Sequence, residues 1–462
     1  DTALATHIDL DYRLPPSDDG RGGDTARDVY FEEMPYYGYA VPEGQGPEPW
    51  NDYFSYLVLH RDYTGFPPNN DPEGDIAGAA KATAAHEFHH CVQFAYDAGE
   101  PPWFQELDAT YMEDIVYDLT DDNYNYLPGF MNFPEKSLME SSLHMYGSFL
   151  WGVFLAERFD TSLMVSVWEG ARFDDVYSAL SDTLLANYGW TQDSAFAEFT
   201  VWNYITGQRD DGNHYQEGSS YPAVAISETY ASYPRLNILS PEQPAGYGSC
   251  YIQFRPGTSV GNLRLTFTGS LSRTWAAYVI KSSAVNVHQP EKMVIDDLTQ
   301  AGSLDVQDFE NYESVTLIGI NLDEFSGGAS FNCGAEIVGD HAVSSVLLTD
   351  SMVYAGVARD FEYEMINISP VNDVYRATAW DDSGWIAPIM VDRFIAAGES
   401  SIVDIPVSPP AGTPLGSSSV LFFRATSLND TDVWHEVNGT AYTVLQRGDA
   451  DFDGLVDIGD LT

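Results

Sequence analysis

The chain of 462 residues carries 70 Asp and Glu against 20 Lys and Arg, which gives a formal charge of −50 at pH 7. A surface this acidic repels nucleic acid and anionic lipid, and no run of eighteen uncharged apolar residues occurs, so neither nucleic-acid binding nor membrane insertion is expected. Hydrophobic residues at 44% and aromatic residues at 14% exclude a disordered acidic chain and predict packed cores.

The start of the chain predicts a secreted protein. The first residue is Asp1 rather than Met, and neither the basic nor the apolar segment of a signal peptide follows it. We therefore expect that a signal peptide has been removed and that the mature protein is extracellular or attached to the cell surface. Because salt screens the repulsion between like charges, the acidity also predicts a marine or halophilic source.

Residues 1–50 are rich in Asp, Gly and Pro, and this composition leaves three roles open: a leftover pro-segment, a lid or a wrapped extension. The sequence YFSYLVLHRDY at 53–63 then combines aromatic and β-branched residues, which predicts a strand. We expect this strand to form the edge of a sheet.

A buried helix is predicted over residues 81–97, because KATAAHEFHHCVQFAYD lacks Gly and Pro and is apolar on more than one face. Within it lies an H-E-x-x-H motif. His86 and His90 are one turn apart on the same helix face, so both imidazoles can bind one Zn²⁺, with Glu87 beside them as a base. The motif therefore predicts a zinc hydrolase site.

A second helix is predicted over residues 103–118, after the turn at 99–102. A zinc site with two His ligands needs a third protein ligand and an open position. Glu106 lies near the start of this helix, and the fifteen residues between His90 and Glu106 suffice to end one helix, turn and start an antiparallel one. Glu106 is the predicted third ligand.

These motifs carry a family resemblance. H-E-F-x-H followed by W-F-x-E-x-x-A-x-x-x-E resembles the gluzincin metallopeptidases, in particular secreted bacterial metalloproteases of myxobacterial type. The segments at 146–160 and 196–210 are similar too, so the resemblance covers about residues 50–250. It implies an α+β peptidase domain with Zn²⁺ and a protein or peptide substrate. Two departures are Leu107, where Gly is usual, and the short spacing between the helices.

The resemblance also implies residue roles. Glu87 would act as the general base, taking a proton from a zinc-activated water that attacks a peptide carbonyl and passing it to the leaving amine. Glu113 would hydrogen-bond a zinc-binding His without contacting the metal, although an ordinary solvated helix Glu fits the pattern equally well. Tyr146 resembles the position that donates a hydrogen bond to the oxyanion, with packing as the alternative. The predicted edge strand at 53–63 would hold an extended substrate.

Other His and Cys residues have plainer interpretations. His144 is a weaker candidate for the role of Tyr146. His89 and Cys91 point away from the predicted metal face and are expected to pack in the core. Cys250 and Cys333 bracket one β-rich segment, where a disulfide in an oxidising compartment and two free buried thiols fit equally well.

The whole chain is predicted to be multidomain. Residues 1–235 would form the α+β gluzincin-like metallopeptidase domain with its N-terminal extension. Short alternating segments then predict an all-β sandwich over 236–340 and a second one, resembling an immunoglobulin-like domain, over 341–445. Residues 446–462 complete the predicted organisation.

The C-terminal sequence GDADFDGLVDIGDLT predicts a calcium loop with Gly454 at its sharp turn. The opening Gly-Asp and the final Asp resemble the first repeat of a dockerin type I module. Because a dockerin needs two repeats and only one is present, we do not expect cohesin binding. The predicted Ca²⁺ ligands are Asp449, Asp451, Asp453, the Leu455 carbonyl, Asp457 and Asp460.

Two alternatives belong to other functional classes. The protein could be an extracellular surface or filament subunit that uses a peptidase-like domain as a scaffold, with calcium-stabilised self-assembly or cell-surface contacts. The intact set of metal ligands argues against it. A carbohydrate-binding role would depend on Trp380, Trp385 and Trp434, which pack in or around the core in the competing interpretation.

Overall fold

The computed structural model describes residues 1–444, except 19, 25, 260, 284–286, 325–326, 339–340, 350–351, 370 and 432. Helices and sheets are both present, in two compact units. The first unit comprises residues 1–257, 265–304 and 311–335, and the second comprises residues 258–264, 305–310 and the chain from 336 onward. The predicted calcium ligands Asp449, Asp451, Asp453, Leu455, Asp457 and Asp460 lie outside the described residues.

The helices lie in the first unit, and their ends follow local chemistry. Pro102 occupies the first turn of a helix, where its fixed φ fits and its missing N–H costs nothing. Asp175 accepts a hydrogen bond from the Ser178 amide as an N-cap. The helices are α1 (Thr2–Asp9), α2 (Asp75–Gln93), α3 (Pro102–Val116), α4 (Leu127–Met131), α5 (His144–Gly147), α6 (Phe149–Arg158), α7 (Leu163–Ala171), α8 (Val176–Tyr188) and α9 (Gln192–Tyr204).

Helices α2 and α3 pack against each other at the centre of this unit. Ala85 and Val92 of α2 belong to the same apolar core as Phe104, Leu107 and Met112 of α3. Burying side chains of this size contributes about 1.5–3 kcal/mol each, which fixes the two helices side by side. Their facing polar residues are thereby brought together.

A three-stranded sheet lies beside α2 and consists of β1 (Val29–Glu32), β2 (Gly38–Gln45) and β3 (Tyr53–His60). Its order is β1-β3-β2, with β3 parallel to β1 and antiparallel to β2. The expectation that residues 53–63 form a sheet edge is therefore wrong. Residues 29–45 supply a strand on each side of β3, and their Gly- and Pro-containing sequence did not indicate strands.

Two further sheets, with orders β4-β6-β11-β8-β9 and β10-β7-β12-β5, lie mostly in the first unit; one end each of β7, β10 and β12 belongs to the second. The rings of Trp275 and Phe331, one from each sheet, lie 5.6 Å apart. The strands are β4 (Glu228–Tyr230), β5 (Arg235–Leu239), β6 (Gly248–Phe254), β7 (Asn262–Gly269), β8 (Trp275–Ser283), β9 (Val287–Met293), β10 (Ala301–Val306), β11 (Ser314–Asn321) and β12 (Phe331–Val338).

The helices and the first pair of sheets share one core. Strand β6 is buried at every position because α9 covers one of its faces, where the Tyr251 hydroxyl donates to the Thr200 carbonyl at 2.8 Å. Ile318 and Ile320 of β11 belong to the same apolar cluster as Trp151 of α6. The predicted boundary at 235/236 therefore does not separate two compact units.

The second unit is a two-sheet sandwich with strand orders β13-β15-β18 and β14-β20-β19-β16-β17. Tyr363 and Phe423, from opposite sheets, stack with ring centres 4.4 Å apart in its core. The strands are β13 (Val343–Leu347), β14 (Met352–Val353), β15 (Arg359–Asn367), β16 (Asp373–Asp381), β17 (Ile389–Ile395), β18 (Ser400–Val407), β19 (Ser418–Ser427) and β20 (Trp434–Thr443).

The tryptophans of the second unit are engaged by neighbouring side chains. Trp385 is buried, Trp380 stacks on Phe422 at 5.5 Å, and the Arg424 guanidinium lies 4.4 Å from the ring centre of Trp434. Trp380 and Trp434 nevertheless remain 38% and 52% exposed, so burial assigns a packing role to Trp385 alone.

The structure also decides between the two states proposed for the cysteines. Cys91, Cys250 and Cys333 are all buried free thiols, and the Cys250 Sγ lies 3.5 Å from the Ser227 hydroxyl. No disulfide links Cys250 to Cys333. Across the described residues, none of the helices combines the length and the apolar character that crossing a bilayer requires.

Candidate metal centre

Three of the predicted site residues converge. His86 and His90 of α2 and Glu106 of α3 place one ligand atom each within 4.8 Å of one another. The Glu106 Oε2 lies 3.0 Å from the His86 Nε2 and 3.6 Å from the His90 Nε2. The two His are buried, and Glu106 is partly buried. The cluster can hold one metal ion.

This geometry follows from the two packed helices. Residues four apart on α2 share a face, which aligns the two imidazoles. Leu107, next to Glu106, is completely buried in the core, so its side chain holds α3 against α2 where a Gly would contribute no apolar contact. The departure from the gluzincin pattern at this position thus has a packing role.

A second carboxylate orients the first imidazole. The Nδ1 of His86 lies 2.7 Å from the Glu113 Oε1, and Glu113 is buried. With Nδ1–H donating to Glu113, Nε2 is the ring nitrogen that faces Glu106 and the candidate metal position. The seven-residue spacing on α3 places Glu106 and Glu113 on the same helix face, so both reach His86.

A residue that the sequence analysis missed orients the second imidazole. The Nδ1 of His90 lies 2.8 Å from the Gln93 Oε1, and the Gln93 Nε2 donates to the Gln105 carbonyl at 2.9 Å. The second bond assigns the amide orientation, so Nδ1–H of His90 donates to Gln93 and Nε2 points at the cluster. In the sequence, a polar residue three positions after the candidate ligand His90 could have indicated this hydrogen bond.

The charges of the cluster are coupled. Burial lowers the pKa of His86, but hydrogen bonds with Glu106 and Glu113 outweigh it and the net direction is upward. Burial raises the pKa of Glu106, while His86 and His90 lower it by more, so this carboxylate stays ionised. Without a metal, the ionised Glu106 therefore pairs with a protonated imidazole, and a divalent cation would bind by displacing that proton.

Glu87 occupies a different environment from the ligands. Its side chain is 5% exposed, its Oε2 has no hydrogen-bond partner, and burial raises its pKa. Glu87 and His86 line a cleft of about 610 Å³. An unpaired buried carboxylate is costly unless it has a task at that position, because its desolvation is not compensated.

Tyr146 lines the same cleft. Its ring centre lies 6.1 Å from that of His86. Burial raises the pKa of Tyr146 above its usual value, so the hydroxyl keeps its proton and remains a donor. The structure thus brings Tyr146 to the metal cluster.

The walls of the cleft come from distant parts of the chain. Residues 33–38, which connect β1 to β2, lie on one side and contribute Tyr37, whose ring meets Phe66 at 4.5 Å. On the other side of the cleft, Tyr126 stacks on Tyr146 with ring centres 5.0 Å apart. Part of the N-terminal extension therefore belongs to the wall of the cleft.

His144, His89 and Cys91 lie outside the cleft. The ring of His144 packs on Phe130 at 4.7 Å, with Nδ1 3.3 Å from the Gly129 carbonyl. The Nε2 of His89 lies 2.5 Å from the Asp108 carboxylate. These contacts give His89 and His144 packing and hydrogen-bonding roles.

A second acidic cluster lies in the first unit. Carboxylate oxygens of Asp114, Asp121 and Glu217 come within 4.8 Å of one another, and the Tyr124 hydroxyl donates to Glu217 at 2.6 Å. Burial and the neighbouring Glu217 raise the pKa of Asp114 to about 7.

Comparisons with known proteins add little. No family profile and no curated protein matches the chain. A CARDB domain from Pyrococcus furiosus aligns with 23% of this chain and 96% of its own, at 9% identity and a TM-score of 0.19. A Bacteroides uniformis beta-glucuronidase aligns with 49% of this chain and 29% of its own, at 11% identity and a TM-score of 0.28. The gluzincin and dockerin resemblances therefore stay predictions from motifs.

Proposed function

We propose that this protein is a zinc-dependent peptidase. One observation carries the proposal: the ligand atoms of His86, His90 and Glu106 converge beside a cleft lined by the unpaired buried Glu87. Two imidazole nitrogens and one carboxylate oxygen form a donor set that zinc hydrolases use, with a position left for water or substrate. The residues present therefore fit Zn²⁺.

Bound at these three residues, Zn²⁺ supplies Lewis acidity, which polarises a carbonyl oxygen and makes water more acidic. Glu87 takes the proton of the attacking water as its oxygen bonds to the peptide carbonyl carbon. When the C–N bond breaks, Glu87 returns this proton to the leaving amine nitrogen. Tyr146 donates a hydrogen bond to the oxyanion that develops from the carbonyl.

Matched carboxamide variants test the proposal. The Glu87→Gln variant keeps the size of the side chain but cannot accept the proton, so we expect casein hydrolysis to fall at least about 100-fold. The bound zinc, measured by elemental analysis, should stay near one ion per chain. Glu242→Gln, an exposed site outside the cleft, serves as the control.

The result also separates the peptidase from the scaffold alternative. Zinc binding with no hydrolysis that depends on Glu87 would contradict the peptidase proposal and favour a surface or filament subunit. Absence of zinc in protein purified without chelator and reloaded with Zn²⁺ would contradict the metal site itself.

We also propose an extracellular location and a calcium site for this protein. The acidic composition and the EF-hand-like spacing of Asp449 to Asp460 support an extracellular protein that binds Ca²⁺. Calcium titration of the full chain should show a site that Asp453→Ala weakens at least tenfold. Unchanged affinity in this variant would contradict the calcium proposal and leave the zinc proposal unaffected.

A further inference from the structure

The cleft beside Glu87 contains an acid that the proposed reaction does not use. Asp122 begins the short 3-10 helix Asp122–Tyr126 and is 2% exposed, yet it lines the same cleft as Glu87. The Asn69 Nδ2 donates to its Oδ1 at 3.1 Å; burial raises the pKa of Asp122, and Asn69 and the Tyr37 hydroxyl offset only part of this rise. Both partners are neutral.

The remaining carboxylates of the cleft are already committed. Glu113 accepts from His86, and Glu33 pairs with the exposed Arg61 at 2.9 Å. Glu87 is the proposed base. Among the described residues that line the cleft there is no Lys or Arg, and one divalent ion at the metal cluster would not balance these acids. Asp122 is therefore left without a positive counter-charge.

We propose that Asp122 selects substrates with a cationic side chain, Lys or Arg, which enters this cleft. This inference rests on the proposed peptidase function. It assigns Asp122 the role of a specificity-determining residue and names basic peptides as the substrate class.

The free-energy cost of burying a charged carboxylate supports selection of a cationic side chain by Asp122. Keeping a carboxylate charged away from water costs free energy, and hydrogen bonds from neutral partners return only part of it. A cationic side chain in the cleft would return more, through a charge-assisted hydrogen bond. A neutral side chain of the same size would leave Asp122 with neutral neighbours only, and so would return none of this free energy.

The walls of the cleft suit the rest of a Lys or Arg side chain. Tyr37 and Phe66 on one side and Tyr126 and Tyr146 on the other present aromatic surface. Such surface packs on the apolar stem of the side chain and attracts a cation placed over a ring face. The volume of about 610 Å³ lies within the roughly 300–1,000 Å³ typical of ligand sites.

The overall charge of the protein cannot supply this selectivity. At physiological ionic strength the Debye length is about 8 Å, so distant exposed acids act on a bound side chain only weakly. The field of a chain with charge −50 raises the encounter rate for any basic peptide, whichever residue enters the cleft. Discrimination between isosteric side chains has to come from a group within the cleft, and Asp122 is placed there.

The test compares arginine with citrulline, its neutral isostere. Zinc-loaded wild-type protein is given internally quenched peptides, acetylated and amidated at their ends, that differ only in Arg or citrulline at one position. That position is placed in turn on each side of the peptide centre. We expect kcat/KM to favour Arg at least tenfold at one position. The Asp122→Asn variant should reduce this ratio to within about threefold of unity.

Two further variants test whether an effect of Asp122→Asn comes from the lost charge or from misfolding. Asp122→Glu keeps the charge and should keep most of the preference, whereas Asp182→Asn removes an exposed charge on α8 and should leave the ratio unchanged. Thermal melts of all variants show whether they fold. A wild-type ratio near unity, or a preference that survives Asp122→Asn in the folded variant, would overturn the proposal.

Peptides with a free α-amine distinguish the source of the cation. If only unblocked peptides show a preference that depends on Asp122, the residue binds an amino terminus and the side-chain proposal is wrong. If zinc-loaded protein cleaves no peptide, the peptidase proposal fails separately. In that case the dissociation constants of the Arg and citrulline peptides are measured by calorimetric titration. Arg binding at least tenfold tighter in the wild type but not in Asp122→Asn supports the site. Equal constants for the two peptides overturn it.

Discussion

The Oε1 of Gln93 lies 2.8 Å from the Nδ1 of His90, three residues earlier on the same helix. Because the Gln93 amide also donates to the Gln105 carbonyl, its oxygen is held toward His90 and cannot rotate freely. The imidazole is thereby fixed with Nε2 toward the metal cluster. Gln93 connects the end of α2 to α3 and orients His90, a candidate metal ligand.

Replacing Gln93 should weaken metal binding. In Gln93→Leu the Nδ1–H of His90 loses its acceptor, so the ring no longer has a preferred orientation and tautomer. We expect zinc affinity, measured by competition with a chromophoric chelator, to fall about 10–100-fold. Gln289→Leu, at an exposed position on β9, should bind zinc as the wild type does. Equal affinities for the two variants would contradict the role of Gln93.

Gly38 should be intolerant of even one methyl group. A Cβ at this residue would lie 2.8 Å from the Thr83 Cγ2, 2.9 Å from the Val58 carbonyl oxygen and 3.1 Å from the Glu87 Cγ. Gly38→Ala should therefore displace Glu87, lower kcat/KM at least tenfold, and destabilise the fold by about 1–3 kcal/mol in urea denaturation.

The matched control for this prediction is Gly129→Ala. Gly129 lies in α4, and nothing within 4 Å would meet its added methyl group. Since Ala is a better helix former than Gly, stability should be unchanged or higher by up to about 1 kcal/mol. Equal tolerance of Ala at both positions would show that β2 does not hold Glu87 in place.

Tyr146 should contribute to turnover more than to binding. Tyr146→Phe keeps the ring that stacks on Tyr126 but removes the donor proposed for the oxyanion. We expect kcat on a quenched peptide to fall about 100-fold, with KM within threefold of the wild-type value and zinc content unchanged. Tyr442→Phe, at an exposed position on β20, is the control. A change confined to KM would assign Tyr146 to substrate packing.

Asp108 should be essential for the stability of the first unit. Its Oδ2 accepts from the His89 Nε2 at 2.5 Å and from the Trp168 Nε1 at 2.6 Å, and its side chain is completely buried. The same His89 ring lies 2.9 Å from the His7 Nε2, which connects α1 to α2. Asp108→Ala leaves buried donors unpaired, so we expect a loss of about 3–5 kcal/mol.

Calorimetric melts check this prediction, with the exposed Asp182→Ala as the control. A variant at Asp108 that melts within 2 °C of the wild type, on the order of 1 kcal/mol or less for a unit of this size, would show that the network is not important for stability.

The acidic cluster around Asp114 should make stability depend on pH. The pKa of Asp114 is raised from 3.8 to about 7 in the fold, so folding favours its protonated form. The stability that this group contributes is fully present below the unfolded pKa and is lost as pH rises through about 7. Asn is neutral at every pH, so Asp114→Asn should stabilise the protein by about 1–3 kcal/mol at pH 8 and by little at pH 4.

Urea denaturation across this pH range tests the prediction. A chelator should be present, so that no cation shares the cluster with Glu217 and Asp121. Asp182→Asn should show the same stability difference from the wild type at both pH values. A pH-independent effect of Asp114→Asn would contradict the raised pKa.

Local patterns in the chain were sufficient to predict that His86, His90 and Glu106 form one cluster. The spacing of His86 and His90 places them on one helix face wherever the helix lies, and the seven residues from Glu106 to Glu113 do the same on α3. The turn between the helices is short, so the two faces had few ways to meet. Alternating apolar residues likewise predicted the sandwiches in the last half of the chain.

Tertiary packing decided the features that depend on distant residues. The cleft combines residues 33–38 with Asp122 and Tyr146, and no local pattern relates segments so far apart. Strand β3 became central because residues 29–45 pair along both of its sides, which hydrogen bonding between strands determines and sequence periodicity does not. Periodicity reports which face of an element is apolar, whereas the partner of that face is selected only by the packing of the whole unit.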